Sequence, residues 1–130
     1  MVSTDIAIDT YRVLLATSDL NLRDTRTALL QSFGLDATSS DSTSDAVELI
    51  RNVPFDLLVL GHTLSDEDCA TISTAFRLFR PHGRIVEILP ASGADCRADA
   101  DAQVIGLDGP TVLKKVIFEQ LRQAQSNYHL

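Results

Sequence analysis

Apolar residues in this chain follow two alternating patterns. Short continuous runs of strand length are separated by longer stretches in which apolar residues recur every three or four positions. A short apolar run without polar alternation marks a strand buried on both faces, and the longer period marks an amphipathic helix. Arg12–Ala16 is the first such run. Thr17-Ser18-Asp19 supplies side chains suited to a helix N-cap, and the helix that follows carries Leu22, Leu29, Leu30 and Phe33 on one face and closes at Gly34. Leu35–Ser39 is a weak second strand. Ser42 caps a second helix with Ala46, Val47, Leu49 and Ile50, which Pro54 breaks. Phe55–Leu60 is the strongest strand and ends at Gly61 and His62. In Ser65-Asp66-Glu67-Asp68, a capping hydroxyl and three acids mark the positive end of a third helix. Its buried face is Cys69, Ile72, Phe76 and Phe79. After the turn Pro81-His82-Gly83 come a fourth strand, Arg84–Leu89, and a weaker fifth, Gln103–Leu107. Asp108-Gly109-Pro110 opens the last helix, with Val112, Leu113, Val116, Ile117 and Leu121 on its apolar face.

Strands separated by helices require right-handed crossovers and give a parallel sheet covered on both faces. Five strands in this sequence order predict an α/β protein, a flavodoxin-like doubly wound five-stranded parallel sheet of order 2-1-3-4-5. The segment from Pro90 to Ala102 has no apolar stripe, so the helix after strand four is expected to be short or missing. The expected organisation is a loose arm over 1–10, one domain over 11–124 and a frayed tail over 125–130.

Composition narrows the function classes. A chain of 130 residues is one domain's worth, and 45% hydrophobic with 22% charged residues is ordinary for a globular protein. Aromatic residues are only 5% and Trp is absent, so Leu, Val, Ile and Ala must build the core. A formal net charge of −7 argues against nucleic acid as a partner, because phosphate binding needs a basic footprint. No apolar run approaches membrane-spanning length, and the N-terminus has acids where a signal peptide would carry bases. The expectation is a cytoplasmic protein, without membrane association, whose two cysteines stay reduced: Cys69 buried on a helix, Cys96 exposed among polar residues.

In an open parallel sheet the chemistry sits at the carboxyl ends of the strands. Here those ends read Thr17-Ser18-Asp19, Gly61-His62-Thr63, Pro90-Ala91-Ser92 and Asp108-Gly109. No glycine set forms a dinucleotide fingerprint or a phosphate-cradling loop, and no serine sits in a nucleophile elbow. Asp66-Glu67-Asp68 reads as helix N-terminal charge, Lys114-Lys115 as a polar pair, and Arg77, Arg80 and Arg84 as too dispersed for a nucleic-acid patch.

Three stretches resemble the two-component response-regulator receiver domain: Val13–Ala16 with Asp19-Leu20-Asn21-Leu22-Arg23, the helix Ala46–Ile50, and Pro54-Phe55-Asp56 leading into Leu57–Leu60. The resemblance spans Tyr11 to Gln123. It implies a phosphorelay fold with a phospho-acceptor Asp after strand three, an acidic Mg²⁺-binding pair after strand one, and a Thr or Ser and a Lys after strands four and five. On this sequence the acceptor position falls on Gly61 and the acidic pair on Thr17 and Ser18, with Asp19 one residue later. The hydroxyl position falls on Pro90 and the lysine position on Gly109, or on Asp108 if the register slips by one, and the family's following proline is matched by Pro110. Ile105 and Gly106 occupy the stretch of the aromatic switch residue. Without a carboxylate at 61 no acyl phosphate can form, and hydroxyls make a poor Mg²⁺ site.

The reading is therefore a degenerate, pseudo-receiver signalling module that is not an enzyme, has no cofactor or metal, and acts by protein–protein binding. Its implied partner is a histidine kinase or an output protein, and its own state is monomer or weak homodimer. The alternative is a small enzyme or ligand-binding protein on the same fold that uses His62 with Asp19 or Ser18.

Overall fold

The structure is a computed structural model that describes residues 10–90 and 99–128, with side chains through 124. Expectations for the arm over 1–9, for Cys96, for the Ser92-Gly93 stretch and for His129 lie outside the described residues. So does most of the segment in which a short helix after strand four was expected.

Five strands, β1 (Arg12–Ala16), β2 (Asp36–Ser39), β3 (Leu57–Leu60), β4 (Arg84–Leu89) and β5 (Ala102–Ile105), alternate with α1 (Leu20–Ser32), α2 (Thr43–Asn52), α3 (Asp66–Phe79) and α4 (Pro110–Tyr128). They form one parallel sheet of order β2-β1-β3-β4-β5, as the sequence pattern predicts. No α-helix separates β4 from β5 among the described residues. Several boundaries differ from expectation; β2 begins one residue later, at Asp36, and β5 one residue earlier, at Ala102. β3 begins at Leu57, because Phe55 and Asp56 form the entry to the strand: the Asp56 amide bonds the Arg12 carbonyl at 2.8 Å. β5 stops at Ile105, and Gly106–Asp108 coil into a 3₁₀ turn. The last helix continues to Tyr128, beyond residue 124, so the backbone expected to be a tail from 125 is helical as far as 128.

The helix ends follow local chemistry. Ser42 and Ser65 cap α2 and α3 by accepting the amides of Asp45 (3.0 Å) and Asp68 (3.1 Å), which satisfies donors that have no partner inside the helix. After α1, Gly34 takes φ +87, a left-handed conformation that costs glycine little, and the chain reverses into β2.

Strand alternation divides the core in two. Val13, Leu15, Val59, Val86 and Ile88 face α1 and α4, meeting Leu30, Leu113, Ile117 and Leu121. Leu14, Leu58, Leu60 and Ile85 face α2 and α3, meeting Ala46, Ile50, Cys69, Ile72 and Phe76. Full burial of each such Leu, Ile or Phe contributes roughly 1.5–3 kcal/mol. Cys69 is buried, as its place in the helical pattern predicts. β4 and β5 are also clamped at their amino ends. The Asp101 carboxylate accepts the Ile85 amide at 2.7 Å and pairs with Arg77 (3.1 Å) and Arg84 (3.7 Å), while Arg84 reaches Gln120 and Gln123 on α4. No helix among the described residues is long and apolar enough to cross a membrane.

Candidate functional site

The order β2-β1-β3 places the reversal of winding between β1 and β3, and the carboxyl ends of those strands form the crevice where ligands of such sheets bind. Ala16 is in register with Leu60, and the Gly61 amide donates to the Ala16 carbonyl at 2.8 Å. The residues that follow therefore meet: Thr17 and Ser18 from one strand, Gly61 and Thr63 from the other.

What they form is a hydroxyl latch. The Thr17 and Thr63 Oγ1 atoms lie 2.7 Å apart. The Ser18 amide donates to Thr63 Oγ1 at 3.2 Å, and the Ser18 hydroxyl donates to the Thr63 carbonyl at 2.8 Å. The Asp19 amide completes the set with a 3.4 Å bond to Thr17 Oγ1. Thr17 is buried, so these bonds satisfy a polar group that water reaches poorly.

Gly61 sits directly under this latch. A Cβ at that position would lie 2.8 Å from Thr17 Cβ, 2.9 Å from Thr17 Oγ1 and 3.3 Å from the Ala16 carbonyl. The backbone of Gly61 is not in the positive-φ region, so glycine is required here for space alone. The position that the receiver resemblance assigns to the phospho-acceptor thus lacks a carboxylate and is closed against any side chain while Thr17 keeps its place.

The positions carried over after strands four and five, Pro90 and Gly109, hold no charged or hydroxyl side chain. Pro90 is exposed just beyond β4; Gly109, with φ +93, lies past the 3₁₀ turn at the start of α4 and not at the end of β5, where the resemblance puts the lysine, because β5 stops at Ile105. Asp19 stands near the crevice, but its carboxylate serves α1, accepting the amides of Asn21 (3.0 Å) and Leu22 (3.1 Å). Thr17 and Ser18 offer only neutral oxygens already engaged with Thr63, so this donor set does not fit Mg²⁺, which favours carboxylates in octahedral geometry. Among the described residues no three His, Cys, Asp or Glu side chains are grouped to hold a metal.

His62, which the alternative reading pairs with Asp19 or Ser18, is half-buried after Gly61, but the acid and hydroxyl assigned to it have other roles. Ser18 donates to Thr63 and Asp19 caps α1. Beside the latch, toward α2 and α3, a hollow of about 270 Å³ is bordered by hydroxyls of Ser40, Ser42 and Thr43 and by Asp41 and Asp68. Asp41 is held by Arg23 at 2.7 Å.

Three residues that sequence reasoning passed over shape this end of the molecule. Thr63 joins the latch; its signal was a hydroxyl three residues beyond the end of β3. Glu87 is fully buried on β4 in register with Leu60, and it is the one acid within the apolar run Ile85–Leu89. Arg26 lies on the sheet-facing side of α1, where burial lowers its pKa against the opposing charge of Asp19. At the opposite edge of the sheet, burial raises the Asp56 pKa despite a 2.9 Å bond from the Arg12 amide and the Arg12 charge.

No protein-family model matches the sequence, and no curated protein matches it significantly. Solved structures do match. A CheY-like response-regulator receiver domain protein from Methanospirillum hungatei superposes with a TM-score of 0.78 at 20% identity, covering 92% of this chain and 99% of that one. The signal receiver domain of an HD domain-containing protein from Pseudomonas fluorescens gives 0.77 at 14% identity, covering 90% and 98%. A response regulator from Thermotoga maritima, solved in complex with Mg(2+)-BeF, gives 0.71 at 18% identity, covering 85% and 99%. A structure described as an adenylate cyclase from Rhodopirellula baltica is also similar, at 0.73 and 17% identity, covering 92% and 93%. At such identities the likeness establishes the fold, and the fold is that of response-regulator receiver domains.

Proposed function

We propose that this chain is a receiver-like signalling module that works without phosphorylation, by binding a protein partner. The observation that carries the reading is the Gly61–Thr17–Thr63 arrangement. In a receiver fold it puts a closed, neutral hydroxyl latch at the position the family resemblance assigns to the acyl phosphate and its Mg²⁺. A fold so widely used for signalling, with that chemistry replaced by packing, keeps its surfaces and not its reaction. The partner class is a histidine kinase or an output protein, the location cytoplasmic, and self-association weak or absent. The enzymatic alternative through His62 loses support because Ser18 and Asp19 are engaged elsewhere.

Beryllofluoride with Mg²⁺, which mimics a phosphorylated carboxylate, is the direct test. The expected result is an unchanged amide NMR spectrum up to millimolar reagent. A saturable shift at Thr17, Gly61 or Thr63 would overturn the proposal.

A further inference from the structure

A second cavity lies on the other face of the sheet, between α1 and α4 at the carboxyl edge of β4 and β5. It holds about 170 Å³. Leu22, Leu29, Ile88, Val104 and Leu113 give it apolar walls, and it shares no residue with the latch. That size is close to the roughly 150 Å³ of an engineered apolar cavity that admits benzene in another protein.

One charged group enters this apolar space. Arg26 lines the cavity, and its Nη1 is buried with no hydrogen-bond acceptor among the described residues. Its Nη2 lies against the wall, 3.3 Å from where a Cβ of Gly106 would stand. An arginine stays ionised at any physiological pH, and a buried N–H left without an acceptor is costly, so the arrangement favours an anion that supplies one. Asp19 interacts with Arg26 through its charge, but its carboxylate is turned to the amides of α1. The first residues of α4 complete the mouth, where the helix dipole adds positive potential.

We propose that this cavity is a binding site for a small monocarboxylate with a compact apolar body, such as an aromatic acid, whose carboxylate pairs with Arg26. A planar carboxylate matches the guanidinium fork, and the apolar walls take a ring that a phosphate or sulfate lacks. The proposal is independent of the partner-binding reading, since the two sites share no residue.

The test is an amide NMR titration of the full chain with benzoate, and with benzyl alcohol as the neutral analogue, repeated with Arg26→Gln. Benzoate is expected to shift Leu22, Thr25, Ile105 and Gly106 saturably. Benzyl alcohol on the native chain, and benzoate on Arg26→Gln, are expected to bind about tenfold more weakly, the loss of one charge-assisted hydrogen bond. If Arg26→Gln does not fold, the comparison of the two ligands on the native chain decides. Equal binding of benzyl alcohol, undiminished benzoate binding by folded Arg26→Gln, or shifts elsewhere would each overturn the proposal. So would no shift up to about 10 mM, the affinity that ordinary ligand efficiency gives roughly nine non-hydrogen atoms.

Discussion

Replacing Gly61 with alanine tests the closed crevice most directly, because it adds a single methyl group where the structure leaves no room. That methyl would stand 2.8 Å from Thr17 Cβ, about an ångström inside the ordinary carbon–carbon separation of roughly 3.5–4.0 Å. Thr17 cannot yield freely, since its hydroxyl is tied to Thr63 and the backbone of Asp19 leans on it. Overpacking of this kind costs about 1–3 kcal/mol. For a domain of this length each kcal/mol moves the melting temperature by about 3–5 °C, so Gly61→Ala should melt about 3–15 °C below the native chain. Alanine is a better residue than glycine for an unfolded chain to lose, so without the clash the same change would be neutral or stabilising. The decisive measurement is a double-mutant cycle with Thr17→Gly, which removes both opposing atoms. Thr17→Gly alone should destabilise by losing the latch. In its presence Gly61→Ala should cost at least about 1 kcal/mol less than it does alone, a coupling well above the error of additive sites. Strict additivity, or a Gly61→Ala variant as stable as the native chain, refutes the argument that the position is closed by Thr17.

Two further predictions follow from charged groups at the opposite edge of the sheet. Burial raises the Asp56 pKa above 3.8, so the folded state holds its proton more tightly than the unfolded one; this contribution is complete below the unfolded value and is lost as pH rises through the folded value. Asp56→Asn should therefore gain stability relative to the native chain as pH rises through that window, with its asparagine oxygen still accepting the Arg12 amide; urea unfolding from pH 3 to 7 checks this, and a parallel pH dependence of the two proteins counts against it. Asp101→Ala removes the acceptor of the Ile85 amide and the partner of Arg77 and Arg84, and should cost roughly 2–3 kcal/mol in urea unfolding, whereas Asp24→Ala, at an exposed ion pair, should cost about 0.5 kcal/mol or less; equal effects would remove the proposed clamp.

The fold was legible because its causes are local and repeated. The unbroken run Leu57–Leu60 has no polar residue to face water and so can only be a central strand; Ser42 and Ser65 mark helix starts by chemistry that acts within three residues. The ends of β5 and α4 were less legible. Leu107 is apolar yet 85% exposed, because the chain has already turned into a 3₁₀ coil there, and an apolar letter alone cannot distinguish the two. At the crevice, the glycine was visible in the letter at 61, but what closes the space over it was not. The close approach of Thr17 and the role of Thr63 arise from residues 44 and 46 positions apart, brought together only by the pairing of β1 with β3. Arg26 escaped notice for the same reason: a helix pattern does not tell which of its polar residues the neighbouring helix will cover.

The latch between Thr17, Ser18 and Thr63 is built wholly from hydroxyl and amide groups. None of them gains or loses a proton between the acidity of a stressed cell and that of a resting one, and none depends on a dissolved cation to hold its neighbour. On the reading proposed above, this junction is insulated from the chemical variables that ordinarily throw a switch. A trigger for such a module would have to act away from this junction, on a surface that meets a partner or at a site such as the Arg26 cavity.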